Sequence, residues 1–108
     1  MNNELYFHDG NFISISIDEF DKTPVCKLIL SLYSNANTSN RSNYIICITN
    51  FSRFSLLGDF SEINKNYFAG SIEDGDIREM GNIQRLRLQI TGGYLEVFGE
   101  ISVKLSQQ

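Results

Sequence analysis

The sequence predicts an all-β domain. It reads as one antiparallel sheet of about six to eight strands, strongly curved or folded into a sandwich or half-barrel, with at most one short helix. Three observations carry this. Segments alternating apolar and polar residues recur along the chain, at the period of a half-buried strand. Gly-centred pairs, Asp74-Gly75 and Gly92-Gly93, stand between such segments in the manner of hairpin turns. No segment sustains the apolar period of a long helix.

The elements follow in order. Residues 12–17 read FISISI, with Ile13, Ile15 and Ile17 on one face and Phe12, Ser14 and Ser16 on the other. Pro24 precedes the next strand, where its missing N–H does least harm. Residues 25–33 then set Cys26, Leu28, Leu30 and Leu32 on a single face. The polar stretch 34–43, SNANTSNRSN, reads as an exposed loop. Residues 44–51 are apolar on both faces and rich in β-branched side chains, which suits a central strand. Residues 51–66 fit either strand or helical turn, and Asp59 followed by Glu62 resembles a capping box for a brief helix over 60–65. Residues 67–72 read as a strand, and Glu73-Asp74-Gly75-Asp76 as the hairpin turn after it.

The last third predicts a hairpin of residues 83–91 and 94–105 about Gly92-Gly93. That loop sets Thr91 opposite Tyr94, Ile90 opposite Leu95 and Leu88 opposite Val97, so one face is apolar on both strands. On the other face Arg87 meets Phe98 and Arg85 meets Glu100. Gly99 falls opposite Leu86 and suggests a bend or bulge.

At 108 residues the chain fits one domain, 1–108. Hydrophobic residues at 42% and charged residues at 20% are globular rather than disordered composition. The net charge of −4 disfavours nucleic acid and anionic membrane as partners and permits a basic one. The opening Met1-Asn2-Asn3-Glu4 lacks a basic segment followed by an apolar run, so a cytoplasmic location is the expectation. Cys26 and Cys47 lie in apolar runs without a nearby His; both are expected as buried free thiols, and one bridge is the alternative.

Candidate chemistry is sparse. His8 is the single histidine, and beside Asp9 it raises acid–base work. Neighbours on an extended chain point apart, so a structural turn residue is the better reading, with Asp9-Gly10 as turn chemistry. No Ser lies in a nucleophile elbow, and neither a metal site nor a cofactor is expected. The domain is therefore read as a binding protein rather than an enzyme. Two acidic groups, Asp18, Glu19 and Asp21, then Glu73, Asp74, Asp76 and Glu79, fall between strands and are either solvated loops or a partner-binding surface.

Three pieces carry a resemblance. They are Phe7-His8-Asp9-Gly10 with its Ile-rich strand, Tyr67-Phe68-Ala69-Gly70-Ser71-Ile72, and Gly92-Gly93-Tyr94-Leu95-Glu96-Val97. Together the chain resembles the immunity proteins of contact-dependent growth inhibition and related polymorphic toxin systems. The resemblance implies a small bacterial cytoplasmic protein that occludes the active site of a toxin domain, often a nuclease, and it transfers no catalytic residue. A basic toxin partner suits the acidic pI of about 4.8, and a monomer or weak dimer is expected. An accessory or adaptor β domain, or a small ligand-binding or hydrolytic β protein, are the alternatives.

Overall fold

In the computed structural model the described residues are 5–18, 23–35, 37, 40–59, 61–62 and 71–106. They form six strands: β1 (Asn11–Asp18), β2 (Val25–Tyr33), β3 (Arg41–Gly58), β4 (Ile72–Met80), β5 (Ile83–Ile90) and β6 (Gly93–Leu105). All pairings are antiparallel, in one sheet of order β1-β2-β3-β6-β5-β4. The all-β expectation holds, with one sheet rather than two. Ser61 and Glu62 lie in a helical turn, and the Glu62 N–H donates to Asp59 Oδ1 at 3.3 Å, one half of the expected capping box. The rest of the expected helix over 60–65, and residues 67–70 of the expected strand, lie outside the described residues.

One face holds the core. Cys26, Leu28, Leu30 and Leu32 of β2 alternate onto it as expected, with Ile46, Ile48, Ile72, Leu86, Leu88, Ile90, Leu95 and Val97, all at most 1% exposed. Each Leu or Ile so buried contributes about 2 kcal/mol by removing apolar surface from water. The sheet is rolled but not closed, and its two outer strands meet near their first residues. The Asp9 N–H donates to the Ile72 carbonyl at 2.9 Å, and the Ile72 N–H to the Gly10 carbonyl at 2.8 Å. The Phe12 N–H donates to Ser71 Oγ at 3.0 Å. Phe7, 4% exposed, sits in this seam.

Four expectations need correction. First, Glu73–Asp76 is not a turn but lies inside β4, with an irregularity between Ile72 and Asp74. The β4–β5 turn is Gly81-Asn82, joining the pair Met80 and Ile83, with Gly81 at φ 78. Gly75 serves close packing instead. A Cβ there would lie 2.7 Å from Leu88 Cδ2 and 3.0 Å from Phe7 Cγ, so only glycine admits the Phe7 ring. Second, the β5–β6 register differs by two residues: Leu88 faces Leu95, and Leu86 faces Val97. The turn is Thr91-Gly92, where tertiary bonds take both residues out of the ladder. The Thr91 N–H donates to the Ser71 carbonyl, and the Gly92 carbonyl accepts from Asp59 N–H, both at 2.8 Å. A two-residue difference preserves the faces, because the side-chain period is two. Gly99 consequently faces Gln84, not Leu86. It lies beside an irregularity of β3 between Thr49 and Arg53, where the expected bend occurs.

Third, β1 contains a bulge between Phe12 and Ser14. Ile13 is the extra residue and is 45% exposed, while Phe12 joins Ile15 and Ile17 on the face of Leu30, Leu28 and Cys26. A bulge shifts the alternation by one, which is how Phe12 and Ile13 exchange sides. Fourth, β3 starts at Arg41, inside the expected loop, and continues to Gly58, which resolves 51–58 as strand.

Candidate functional site

The acids of 73–79 are organised by strand geometry. Past the irregularity at Glu73, Asp74, Asp76 and Arg78 alternate onto the outer face of β4, while Glu79 falls on the other side. The outer face continues across β5, β6 and the second half of β3 in three cross-strand rows. These are Asp76-Arg87-Glu96-Ser55, Arg78-Arg85-Phe98-Arg53 and Asp74-Gln89-Tyr94-Leu57. Arg85 therefore meets Phe98 rather than Glu100, and Arg87 meets Glu96 rather than Phe98.

Asp76 is the centre of this array. Its Oδ1 accepts from Arg85 Nη2 at 3.1 Å, and its Oδ2 lies 3.5 Å from Arg87 Nη2 and 3.5 Å from Arg78 Nε. Arg85 also reaches Glu96 at 3.9 Å. The Asp76 side chain is 29% and that of Arg85 18% exposed, so these pairs are shielded more than ordinary surface pairs. Arg53 lies over the Phe98 ring at 5.9 Å, which extends the row as a cation–π contact.

Asp74 differs. It projects into solvent, 68% exposed, with Arg87 at 3.3 Å. The hydrogen bond from Arg87, the Gly75 N–H and the nearby His8 hold its carboxyl below the usual value. Burial pulls the Arg87 guanidinium down, but Asp74 and Asp76 together hold it above its ordinary value. Glu73 is exposed and accepts from Thr91 Oγ1 at 3.3 Å, and Glu79 accepts from Gln84 Nε2 at 3.1 Å. The expected cluster of solvated loop acids is thus a strand in which Asp76 is tied to arginines and Glu73 and Asp74 remain outward. Of the other acidic group, Asp18 ends β1 and is exposed; Glu19 and Asp21 lie outside the described residues.

The residues that sequence reasoning missed are His8 and Asp9 as neighbours of this strand. Residues 7–10 form a turn closed by the Gly10 N–H to the Phe7 carbonyl at 3.0 Å, with Asp9 at φ 66. The turn bends His8 toward both sides of the seam. Its Nδ1 lies 2.9 Å from the Glu73 carbonyl, and its Nε2 3.6 Å from Asp9 Oδ2. The Glu73 carbonyl first, then the Asp9 and Asp74 charges, raise the His8 pKa above its ordinary value. His8 lies in a turn, as expected, but the expectation that the His8 and Asp9 side chains point apart is corrected: a turn, not an extended chain, brings them together. Exposed Asp9, Glu73 and Asp74 surround it.

Among the described residues no group of three or more His, Cys, Asp or Glu has metal-binding geometry. Cys26 is buried and free; Cys47 is free but only half-buried, because it alternates to the outer face beside Lys27. No helix of the described residues is long and apolar enough to cross a membrane. No protein-family model matches the chain, and no curated protein and no solved structure is significantly similar to it.

Proposed function

We propose that this domain is an immunity protein, one that binds a toxin domain of the nuclease class and occludes its active site. The observation that carries the reading is the exposed acidic rim at the seam: Asp9 in the turn of residues 7–10, with Glu73 and Asp74 on β4, Asp74 sharing Arg87 with Asp76. A nuclease cleft must attract a polyanion and is therefore basic. An inhibitor presenting acids to it gains association rate and discrimination against wrong partners. The net charge of −4 works in the same direction.

The test asks first whether a toxin domain is encoded beside this chain's gene, then co-expresses the two and measures binding kinetics on the purified pair. The wild-type chain should restore growth. Glu73→Gln combined with Asp74→Asn should slow association about tenfold at low salt and flatten its salt dependence. Asp76 is left intact because its loss would perturb the sheet. Absence of binding and of growth rescue overturns the reading in favour of an accessory β domain; rescue with an unchanged on-rate overturns the role of the acidic rim.

A further inference from the structure

We infer that His8 is a pH-operated latch on the seam: its imidazolium ties the turn of residues 7–10 to β4, and loss of the proton loosens that tie. The ring stands between two acceptors. Its Nδ1 lies 2.9 Å from the Glu73 carbonyl, and its Nε2 lies 3.6 Å from Asp9 Oδ2. A neutral imidazole has one N–H and one lone pair, so it satisfies one of these oxygens and turns a lone pair toward the other. The imidazolium has two N–H groups and suits both. The irregularity of β4 puts the first acceptor in place. The register with β5 passes from Ile72 to Asp74 and skips Glu73, whose carbonyl lies against His8.

The other side of the turn has an anchor that does not titrate. Arg41 Nη2 donates to the Asp9 carbonyl at 3.2 Å, and its guanidinium lies over the Tyr33 ring at 4.7 Å. Arg41 thus fixes the turn to β3 at any pH near neutrality, while His8 fixes it to β4 according to its charge. Among the described residues, the charged and titratable groups facing the ring come from three elements. They are Asp9 on the turn itself, Asp74 on β4 with Arg87 of β5 bonded to it, and Tyr6, whose ring meets the imidazole edge-on at 6.2 Å. The Glu73 carboxylate is engaged by Thr91 Oγ1 at 3.3 Å. The Glu73 carbonyl, then the Asp9 and Asp74 charges, raise the His8 pKa. The tie is therefore complete below about pH 6.5 and is lost as pH rises through the raised value. The bonds it protects are its neighbours in the seam, Asp9 N–H to the Ile72 carbonyl and Ile72 N–H to the Gly10 carbonyl. No partner is needed for the latch to act.

The experiment follows amide hydrogen exchange of the full chain by NMR from about pH 5.5 to about pH 8, the range in which histidine titrates, each rate divided by that of an unstructured peptide at the same pH. Protection at Asp9 and Ile72 should fall about two- to fivefold as pH rises, the size of one exposed ion pair. The midpoint should match that of the His8 ring protons in the same sample. His8→Gln keeps a donor for the Glu73 carbonyl but is never charged, and should show no such fall. Asp9→Asn removes one of the two acceptors and should shrink the fall; Asn tolerates the positive φ of this position. The His8 and Asp9 side chains are 58% and 64% exposed, and circular dichroism with a melting temperature within a few degrees of wild type establishes that both variants fold. Protection at Asp9 and Ile72 that stays flat through the His8 titration overturns the inference. So does a fall of the same size in folded His8→Gln or Asp9→Asn, or a midpoint that departs from that of the His8 ring.

Discussion

At the scale of the residue, two cysteines one position out of step across a ladder have different chemistry. Cys26 pairs with Ile48, and Lys27 pairs with Cys47, so the thiols alternate to opposite faces of the sheet. Burial, with a smaller contribution from Cys47, pushes the Cys26 thiol up to about 11. Thiolate is the reactive form, so Cys26 should react only when the sheet opens, while half-buried Cys47 should label first in native protein. Mass spectrometry after timed alkylation reads this directly, and equal rates would contradict the placement. Cys26→Ser should lower stability by about 1–3 kcal/mol, because it puts a hydroxyl among apolar side chains. His8 carries a pH dependence near neutrality. Its folded pKa is raised above 6.5, so its contribution is complete below about that pH and is lost as pH rises through the raised value. Proton NMR titration should place the His8 midpoint above 6.5, and Asp9→Asn should lower it. A midpoint unmoved by Asp9→Asn would show that the Asp9 charge does not act on the ring.

At the scale of the element, β4 shows how a strand can look like a turn. Asp76→Asn should cost about 1–2 kcal/mol in urea unfolding, since Arg78, Arg85 and Arg87 lose the carboxylate between them. Asp74→Asn should cost no more than about 0.5 kcal/mol, because that pair stands in solvent. Equal effects would mean that Asp76 has no central role. The same strand marks the limit of what local sequence conveys. β2 was legible in full, because Cys26, Leu28, Leu30 and Leu32 alternate without interruption. The β4–β5 turn was not, because Asp74-Gly75 and Gly81-Asn82 both carry hairpin signals. What decides between them is the fit of Phe7 against Gly75, a contact far apart in sequence. The bulge at Ile13 was equally hidden, since ISISI keeps an apolar alternation on either side of a one-residue shift. The Asp76 network left one signal unused. Asp74 and Asp76 share the i, i+2 spacing of Arg85 and Arg87, which is the pattern of two facing strands of opposite charge.

At the scale of the whole molecule, the sheet is organised by where its ends meet. Chain order places β1 and β4 at opposite flanks, and a flat sheet would leave the apolar face in water. Rolling brings residues 8–12 against residues 71–73 through hydrogen bonds at Asp9 N–H, Ile72 N–H, Phe12 N–H, Ser71 N–H and His8 Nδ1. Phe7 fills the space behind them, against Gly75. The exposed acids proposed to meet a partner stand on this same seam, so the rim's shape depends on the seam being closed. Phe7→Ala should therefore act in two ways. Global stability should fall by about 3–4 kcal/mol, the usual loss for a buried ring. The amides of Asp9, Phe12 and Ile72 should also lose hydrogen-exchange protection disproportionately, because their bonds span the seam, while amides of the β3–β6 ladder should weaken only in step with global stability. Uniform loss across all these amides would mean that the seam opens only with global unfolding and that Phe7 is ordinary core. A local loss would instead identify residues 7–12 and 71–73 as a separately opening unit, which couples packing at Phe7 to the geometry of Asp9, Glu73 and Asp74.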